Sequence, residues 1–431
     1  GEALLDFDDI MRNFYEGNGH FTCIITTYTT LTNYQHSLSK IPFAVTVFDE
    51  IQALKNPASL RSQAARSINA DFRIGLTGTP IENSTTDLWA IMDQLVPGHL
   101  SSLLDYQRHY SNPTKDNMKA LYQKVFCSTG QRPALALRRL KANVTCDLPS
   151  KTRLILPKEM PEVQAKAYDD IRKKLKEGQR GNALKLLHHI RTASVHPAVS
   201  SVSTDQKFIA QSGRLAATFE ILKRIKTRGE RALVFIENLK MQYRFAALVR
   251  SEFGLERVEI INGQTSISER QKIVDRFQKH LKDSKNKFDL LILGPRAAGT
   301  GLTLTAATHV IHLSRWWNPA VEEQCNDRVH RLGQTQPVYV YVPMAIHPYY
   351  KSKSFDCLLH NLMQKKRRLA QNILWPMADT ANDVSQLQAQ LINDENILEV
   401  GDCVRNAMIG MYADEDVLCP TPDNNGAFLY I

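Results

Sequence analysis

Residues 291–334 read LILGPRAAGTGLTLTAATHVIHLSRWWNPAVEEQCNDRVHRLGQ, and this stretch indicates most clearly how the chain folds. Short apolar runs at 290–293 and 310–313 are predicted to form β-strands. The loop AGTG, residues 298–301, follows the first strand, and WWNP, residues 316–319, follows the second. Such loops are typical of parallel α/β sheets, which bind ligands at the carboxyl ends of their strands.

A helix is predicted over residues 320–331, because Pro319 suits a first helical position. Gln324, Arg328 and Arg331 then have the spacing i, i+4, i+7 and lie on one helix face. Two arginines at the end of an α/β lobe can stabilise a phosphoryl group during its transfer. The alternative is an exposed helix whose arginines pair with its own acidic residues, and the pattern alone does not decide between the two.

Strands and helices alternate in two segments of the chain. Strands are predicted in the first segment at 22–27, 43–48 and 71–76, and in the second at 232–236, 258–261, 290–293, 310–313 and 338–342. The charged stretch between the segments, from about residue 153 to residue 212, is predicted to be helical. Apolar strands separated by helices indicate parallel sheets covered on both faces. The predicted fold class is therefore α/β, with two parallel-sheet lobes, a helical bridge and an acidic C-terminal extension.

Two carboxylates follow a strand of the first segment. Asp49 and Glu50 come directly after the predicted strand 43–48, which places them at the edge of the sheet. Carboxylates in this position hold Mg²⁺ and orient water in nucleotide hydrolysis. The alternative is a solvated strand end without a chemical role.

The sequence TGTP, residues 77–80, follows the next strand. Gly78 allows a close approach of the backbone to a ligand, and the hydroxyls of Thr77 and Thr79 can relay between a nucleotide and a second site. The alternative is a turn that caps the following helix.

The composition excludes several classes of protein. Of 431 residues, 43% are hydrophobic and 23% charged, which is ordinary for a globular protein and argues against overall disorder. No run of 18 or more residues is uniformly apolar, so no transmembrane helix and no membrane partner are predicted. Seven cysteines without a C-x-x-C pair argue against a disulfide framework or a zinc site and fit a reducing compartment.

Charge is distributed unevenly along the chain. The net charge is +10, but residues 371–431 hold ten acidic residues and one basic residue, so residues 1–370 carry about +19. Basic runs occur at 138–141, 172–176, 223–231 and 365–368. This surplus favours a polyanionic partner, while for each single run a solvated helix face remains the alternative.

Taken in order, these motifs resemble those of the Swi/Snf-type ATPases, the double-stranded-DNA translocases of helicase superfamily two. The resemblance covers about residues 20–345. Its motifs are ITTYTTL (Ib), VFDEIQALKN (II), LTGTPIENSTTDLWAIMDQLVPG (III), LRRLKANVTCDLPSK (the exit from the first lobe), ALVFIENLKMQ (IV), INGQTSISERQKIVDRFQ (the following segment), GPRAAGTGLTLTAATHVIHL (V) and RWWNPAVEEQCNDRVHRLGQTQPV (VI).

The resemblance implies roles for individual residues. Asp49 would bind Mg²⁺ through water, and Glu50 would polarise the attacking water. Residues that would contact the nucleotide or couple its state to DNA are Gln52, Thr77, Gly78, Thr79, Gly299 and Gly301. Those that would reach the γ-phosphate are Gln324, Arg328 and Arg331. Residues that would contact DNA are Thr27, Tyr28, Asn238, Thr300 and Trp316, although Trp316 is more simply explained as an anchor of its loop.

The same resemblance implies a domain organisation. Residues 1–152 would be the C-terminal part of a first RecA-like lobe, 153–212 the helical bridge, 213–370 the second RecA-like lobe and 371–431 the extension. Ser314 stands where many members have Asp, which leaves the DNA contacts less certain than the nucleotide contacts. No G-x-x-x-x-G-K-[ST] phosphate loop occurs, so we expect a fragment of a longer protein that is inactive alone; the alternative is a natural remnant.

The expected function is ATP-driven translocation along double-stranded DNA, with ATP and Mg²⁺ bound in the cleft between two lobes. Phosphate contacts would make DNA binding sequence-tolerant, and further proteins could bind through a missing N-terminal region. The alternative is a non-catalytic DNA-binding or scaffold module, and a strand-separating helicase is disfavoured. The expected location is the cytoplasm of a bacterium, or the nucleus if the protein is eukaryotic.

Overall fold

The computed structural model describes residues 23–82, 84–130, 132–139, 148–177, 183–198, 204–279, 288–295, 301–372, 381–401 and 428–430. The chain divides into two compact units. The first comprises Gly1–Ala136 with Leu369–Ala378, and the second comprises Leu137–Arg368 with Asp379–Ile431.

The first unit contains a small parallel sheet surrounded by helices. Its strands are β1 (Phe43–Phe48) and β2 (Ala70–Gly75), which pair from Phe43↔Ala70 to Phe48↔Gly75. Its helices are α1 (Tyr28–Asn33), α2 (Gln35–Leu38), a 3₁₀ turn (Ile51–Leu54), α3 (Leu60–Ser67), α4 (Thr85–Leu95), α5 (Leu103–Tyr110) and α6 (Lys115–Phe126). One apolar core lies between β1, the 3₁₀ turn and α3, and a second joins α4, α5 and α6.

The predicted strand at 22–27 is wrong for its described part. Residues 23–27 form no strand and lead into α1, where the Thr27 hydroxyl accepts a hydrogen bond from the Thr30 N–H at 3.1 Å. This threonine therefore serves as a helix N-cap, a position that favours the extended backbone that a β-branched residue also adopts in strands.

The second unit is built on a seven-stranded sheet. Its strands are β3 (Lys151–Glu159), β4 (Arg231–Phe235), β5 (Glu259–Ile261), β6 (Asp289–Leu293), β7 (His309–His312), β8 (Val338–Ile346) and β9 (Phe428–Tyr430), in the order β5-β6-β4-β7-β8-β3-β9. All pairs are parallel except β3 with β9. Every residue of β4 is buried, because apolar cores cover both faces of the sheet. The predicted α/β class with parallel sheets is confirmed.

Helices of the second unit cover the sheet and form a separate helical layer. They are α7 (Glu162–Lys176), α8 (Ala183–Val195), α9 (Asp205–Ala210), α10 (Gly213–Arg228), α11 (Leu239–Phe253), α12 (Ile267–Lys279), α13 (Pro319–Asn326), a 3₁₀ turn (Lys351–Lys353), α14 (Phe355–Asn372) and α15 (Ala381–Ile392). Among the residues described in either unit, no helix is long and apolar enough to cross a membrane.

The prediction of helix from residue 153 is wrong at its start, because β3 runs to Glu159. This strand pairs with β8 over nine residues, from Lys151↔Val338 to Glu159↔Ile346. The pairing joins parts of the chain that are far apart in sequence, so the local charge pattern did not indicate it. Helices α7, α8 and α9 lie in the rest of the predicted helical stretch that the structure describes.

The C-terminal extension contributes two elements to the second unit. Leu387 and Leu391 of α15 are buried in a core that contains residues of α7, α8 and α14. The strand β9 pairs with β3 between Arg153↔Tyr430 and Ile155↔Phe428. Residues 381–401 and 428–430 of this extension are therefore a packed part of the second unit.

Candidate active site

The carboxyl ends of β1 and β2 lie side by side because these strands are parallel. The Leu76 N–H donates to the Phe48 carbonyl at 2.9 Å, and the Ile51 N–H donates to the Leu76 carbonyl at 3.0 Å. These bonds continue the strand pairing on both sides of Asp49 and Glu50. Both acidic residues are exposed at this edge of the sheet, where the sequence predicted them.

Glu50 turns the chain sharply at the end of β1. Its backbone is left-handed, with φ 49° and ψ 49°, a conformation that non-glycine residues rarely adopt. The Glu50 carbonyl accepts the Ala53 N–H at 2.9 Å and so begins the 3₁₀ turn, while its N–H donates to Asp49 Oδ1 at 3.0 Å. The backbone thus fixes both carboxylates relative to each other.

A chain of hydrogen bonds joins Glu50 to the loop after β2. The Gln52 amide donates to the Glu50 carboxylate. The Thr77 hydroxyl donates to Gln52 Oε1 at 2.6 Å and accepts the Thr79 N–H at 3.0 Å. The structure therefore brings together Glu50, Gln52, Thr77 and Thr79, to which the family resemblance assigned roles in hydrolysis and coupling.

The two carboxylates fit a hydrated Mg²⁺ better than a cage of protein ligands. Among the described residues, no group of three or more His, Cys, Asp or Glu side chains could hold a metal ion. Mg²⁺ usually keeps several waters and takes one or two carboxylates together with substrate phosphates. Asp49 and Glu50 supply such a pair, and Asp49 Oδ1 is oriented by its bond to the Glu50 N–H.

Tyr28 hydrogen-bonds to the backbone of the acidic pair. Its hydroxyl donates to the Asp49 carbonyl at 2.8 Å, and its ring lies 5.9 Å from the Arg61 guanidinium carbon. Burial, together with the charge of Asp49, raises the pKa of Tyr28 to about 12, so the hydroxyl keeps the proton that it donates. Tyr28 therefore holds the backbone of Asp49 in place, which the sequence did not indicate.

Gly75 is more tightly packed than Gly78, the glycine that the sequence analysis selected. A Cβ on Gly75 would lie 2.8 Å from both Ile51 Cδ1 and Leu95 Cδ1. A Cβ on Gly78 would have no atom within 4 Å. A side chain at Gly75 would therefore have to displace the ends of Ile51 and Leu95, whereas Gly78 has open space around it.

In the second unit, the predicted helix 320–331 is wrong in length. Asn318 caps α13 by accepting the Ala320 N–H at 2.8 Å, and the helix ends at Asn326. Arg328 and Arg331 lie in the turns that follow, so they do not share a helix face with Gln324.

Tertiary hydrogen bonds hold these two arginines against one segment. The Leu304 N–H donates to the Arg328 carbonyl at 2.9 Å, and the Arg331 guanidinium donates to the Leu302 carbonyl at 3.4 Å. The Arg328 side chain also donates to the Gln324 carbonyl at 3.1 Å. Gln324, Arg328 and Arg331 are therefore neighbours, together with the segment that begins at Gly301. Gly299 and Thr300, also predicted site residues, lie outside the described residues.

The acidic residues of α13 pair with cations from other elements. Glu322 binds Arg315 of the loop after β7, with Nε to Oε1 at 3.0 Å, and Arg367 of α14 at 2.8 Å. Glu323 binds Lys151 at 3.0 Å and also Arg153, both of β3. These contacts differ from those of a solvated helix whose arginines pair with its own carboxylates.

Burial and these cations act in opposite directions on both carboxyls. Burial alone would raise the pKa of Glu322 and of Glu323. The neighbouring cations together outweigh it, with Arg315 the strongest beside Glu322 and Arg153 the strongest beside Glu323, and they hold both pKa values below the ordinary range. Both residues therefore stay ionised within the unit, as a buried, paired carboxylate does.

Asn238 and Trp316, both predicted to contact DNA, have structural partners. Asn238 caps α11 by accepting the Met241 N–H at 3.0 Å. Arg191 of α8 lies 5.5 Å from the Trp316 ring and donates to the Arg315 carbonyl at 2.5 Å. Trp316 is thus held in its loop, which agrees with the expectation that it anchors this loop. No sequence signal pointed to Arg191, which lies 124 residues from Arg315.

A cavity borders these residues at the carboxyl ends of β4 and β7. Its lining includes polar side chains that can donate hydrogen bonds, and they are His188, Arg191, Thr192, Asn238 and Ser314. Glu237 lines it as well, paired with Arg191. Asn238 therefore lines this cavity, whose wall also includes the apolar Val195 and Met241, as well as capping its helix.

Comparisons with known proteins agree with the order of these motifs. The SNF2-related domain matches residues 10–214, and the Helicase conserved C-terminal domain matches residues 214–333. The Zorya protein ZorD of Escherichia coli O139:H28 is 34% identical over 378 residues, which are 84% of this chain and 34% of that protein. The putative ATP-dependent helicase/translocase YwqA of Bacillus subtilis is 32% identical over 336 residues, 74% of this chain and 35% of its own.

A solved structure is also similar. The Sulfolobus solfataricus SWI2/SNF2 ATPase core in complex with dsDNA aligns with 89% of this chain and 79% of its own, at 27% identity and a TM-score of 0.45. The chain spans about a third of the length of the two bacterial relatives. On the two adjoining domain matches and these relatives, the chain belongs to the Swi/Snf-type ATPases of helicase superfamily two.

Proposed function

We propose that this chain is the part of an ATP-driven double-stranded-DNA translocase that supplies the water-activating carboxylate and the phosphate-stabilising arginines. The observation that carries the proposal is the bonded chain Glu50–Gln52–Thr77–Thr79 at the end of a parallel sheet. It links a carboxylate suited to orient water with a loop whose hydroxyls can respond to nucleotide.

In this proposal each named group has one task. Glu50 orients the attacking water and accepts its proton, and Asp49 holds Mg²⁺ through water. The metal ion would neutralise phosphate charge and position the phosphates. Arg328 and Arg331 stabilise the charge that develops on the transferred phosphoryl group. Gln52 and Thr77 link the position of the Glu50 carboxylate to that of the Thr79 loop through their hydrogen bonds.

The proposed partner is the phosphate backbone of double-stranded DNA. The surplus of basic residues outside the extension supports it, as do the hydrogen-bond donors Asn238 and Arg191 in the lining of the cavity. Phosphate contacts carry no sequence information, so binding would tolerate any sequence and weaken strongly with salt. The bacterial relatives favour a bacterial cytoplasm as the location.

The chain alone would lack activity, because it contains no Gly-Lys dipeptide and hence no phosphate loop of the G-x-x-x-x-G-K-[ST] type. We propose that the complete site forms in the full-length protein. Further proteins could bind through its other regions.

The test is ATP hydrolysis by the full-length protein with and without duplex DNA. Glu50→Gln keeps the shape of the side chain but removes its basicity, so we expect hydrolysis to fall by about 10²–10⁴-fold while ATP binding is retained. Asp105→Asn is the control, since Asp105 is an exposed carboxylate that pairs with Arg108 on α5. Hydrolysis by Glu50→Gln at the rate of this control would contradict the proposal.

A nucleotide-binding measurement tests the alternative of a non-catalytic scaffold. If the full-length protein binds duplex DNA but no ATP, the scaffold function is correct and the translocase is not. Displacement of a triplex-forming strand without separation of the duplex strands would distinguish translocation from unwinding.

A further inference from the structure

Helix α13 is held by two adjacent carboxylates, one buried and one about a third exposed, that face cations of three other elements. The Glu322 side chain is 2% exposed and receives Arg315 from the loop after β7 and Arg367 from α14. Glu323 receives cations from β3 and lies 3.6 Å from Arg367 Nε. Arg367 is therefore the cation that reaches both carboxylates from α14.

Removal of Arg367 would leave Glu322 with Arg315 as its ion-pair partner. Arg315 already makes a forked contact with Glu322, at 3.0 Å from Nε and 3.3 Å from Nη2, and also approaches His360 Nδ1 at 3.2 Å. Without Arg367, the Glu322 Oε2 atom loses its 2.8 Å charge-assisted hydrogen bond and keeps the longer 3.3 Å contact from Arg315, so the buried side chain is held less firmly. Because Glu322 belongs to α13, the helix would be free to shift with it.

The arginine-bearing turns begin directly after these carboxylates. The Asp327 N–H donates to the Glu323 carbonyl at 2.8 Å, the Arg328 N–H to the Cys325 carbonyl at 3.3 Å and the His330 N–H to the Asn326 carbonyl at 2.9 Å. Arg328 is thus tied through consecutive backbone bonds to the last turn of α13. A displacement of this turn would move Arg328 and Arg331 by a similar amount.

We propose that Arg367 is a positioning residue: it fixes α13 through Glu322 and thereby sets the geometry of Arg328 and Arg331. Helix α14 lies beyond residue 333, where the Helicase conserved C-terminal domain match ends, so the functional site of the second unit extends past that domain. The inference rests on the proposed function for its catalytic consequence but not for its structural one.

Lys366 provides a matched control on the same helix. Its side chain is 2% exposed, as buried as that of Glu322, and its ammonium binds Asp383 of α15 at 2.7 Å. Lys366→Met and Arg367→Met each remove one buried cation from neighbouring positions of α14. The first change removes a cation bound to α15, and the second removes a cation bound to α13.

The first measurement is hydrogen exchange of the wild-type chain and both variants. We expect Arg367→Met to speed exchange of the amides of residues 328–334 by about tenfold or more, with Arg367→Lys in between, because lysine restores the charge without the forked geometry. Lys366→Met should leave the exchange rates of these amides unchanged and speed the exchange of amides in α15. Equal exchange at 328–334 in Arg367→Met and wild type would overturn the proposal.

The second measurement is ATP hydrolysis in the full-length protein. We expect Arg367→Met to lower kcat by about 10–10²-fold with little change in KM, since small misplacements of catalytic groups have effects of this size. Equal kcat values for Arg367→Met and Lys366→Met would also overturn the proposal. If the wild type hydrolyses no ATP, the proposed function fails, while the exchange measurement still decides whether Arg367 positions the arginine turns.

Discussion

Glu50 and Gly75 show how two residues fix the end of a strand. Glu50 accepts a left-handed backbone, with φ 49°, which costs about 1–3 kcal/mol and persists only where the surroundings require it. Gly75 leaves the space into which Ile51, the first residue after this bend, packs. The strained backbone of Glu50 and the absence of a side chain at Gly75 thus act together to set the orientation of Asp49 and Glu50.

The two glycines near this bend should respond differently to alanine. In Gly75→Ala the new Cβ would displace the flexible ends of Ile51 and Leu95, so we expect a loss of about 1–2 kcal/mol in the free energy of unfolding. In Gly78→Ala the new Cβ meets open space, so we expect a change of less than about 0.5 kcal/mol. Urea denaturation measures both, and equal losses would contradict this account of the packing.

At the residue scale, the sequence placed Asp49 and Glu50 after one strand and Thr77 to Thr79 after the next, and the structure has both at one edge of the sheet. Gln52 was added by the family resemblance, and the roles of these residues stay predictions. The sequence did not indicate Tyr28 as a support or Gly75 as a spacer. Both depend on distant packing, such as the bond of the Tyr28 hydroxyl to the Asp49 carbonyl, 21 residues away.

At the scale of the element, α13 is shorter than its sequence suggests. The spacing of Gln324, Arg328 and Arg331 continues the helical period. However, the Arg328 carbonyl accepts its hydrogen bond from the Leu304 N–H, which lies outside the helix. Asn326 Oδ1 accepts a hydrogen bond from His312 Nε2 at 2.9 Å, so this side chain does not face solvent. Tertiary partners therefore end the helix, and local periodicity does not report them.

Acid should destabilise the second unit through the carboxylates of α13. The pKa of Glu322 and of Glu323 lies below the ordinary 4.5, since neighbouring cations outweigh the effect of burial. A depressed carboxyl pKa contributes stability above pH 4.5, and this stability is lost as the pH falls through the folded-state value. Burial also lowers the pKa of His312 and of His360 below 6.5, which acts in the same direction at acid pH.

The measurement is the free energy of unfolding in urea between pH 6.5 and pH 3. We expect it to decline with falling pH, and Glu322→Gln to have a shallower decline below pH 4.5, by up to about 1.4 kcal/mol per pH unit. Glu220→Gln is the control, because Glu220 is an exposed carboxylate that pairs with Lys158. Parallel profiles for wild type and Glu322→Gln would show that Glu322 is not held ionised.

At the scale of the whole molecule, part of the basic surplus serves internal packing. Four basic residues bind carboxylates of the extension: Arg172 and Lys176 bind Asp394, Lys351 binds Glu399 and Lys366 binds Asp383. The sequence predicted opposite charges for body and extension but not these pairings. Because α15 also buries Leu387 and Leu391, the extension stabilises the second unit through both charge and apolar contact.

The extension should therefore contribute to stability in proportion to its burial. Leu391→Ala removes a fully buried side chain from the core shared with α7 and α14, so we expect a loss of about 2–5 kcal/mol in the free energy of unfolding. Leu398→Ala is the matched control, since Leu398 is 46% exposed in the same extension, and its cost should stay below about 1 kcal/mol. Similar losses for both variants would mean that α15 does not pack as described.

The pairing of β9 with β3 has a consequence for handling the protein. Strand β3 is nine residues long, and β9 hydrogen-bonds to the side of it away from β8 over three register pairs. An unpaired strand edge is a template for strands of other molecules, so native proteins cover such edges or blunt them. Proteolysis ahead of residue 428 would remove β9, expose the edge of β3 and promote self-association. A cleavable affinity tag at the N-terminus would leave β9 paired with β3.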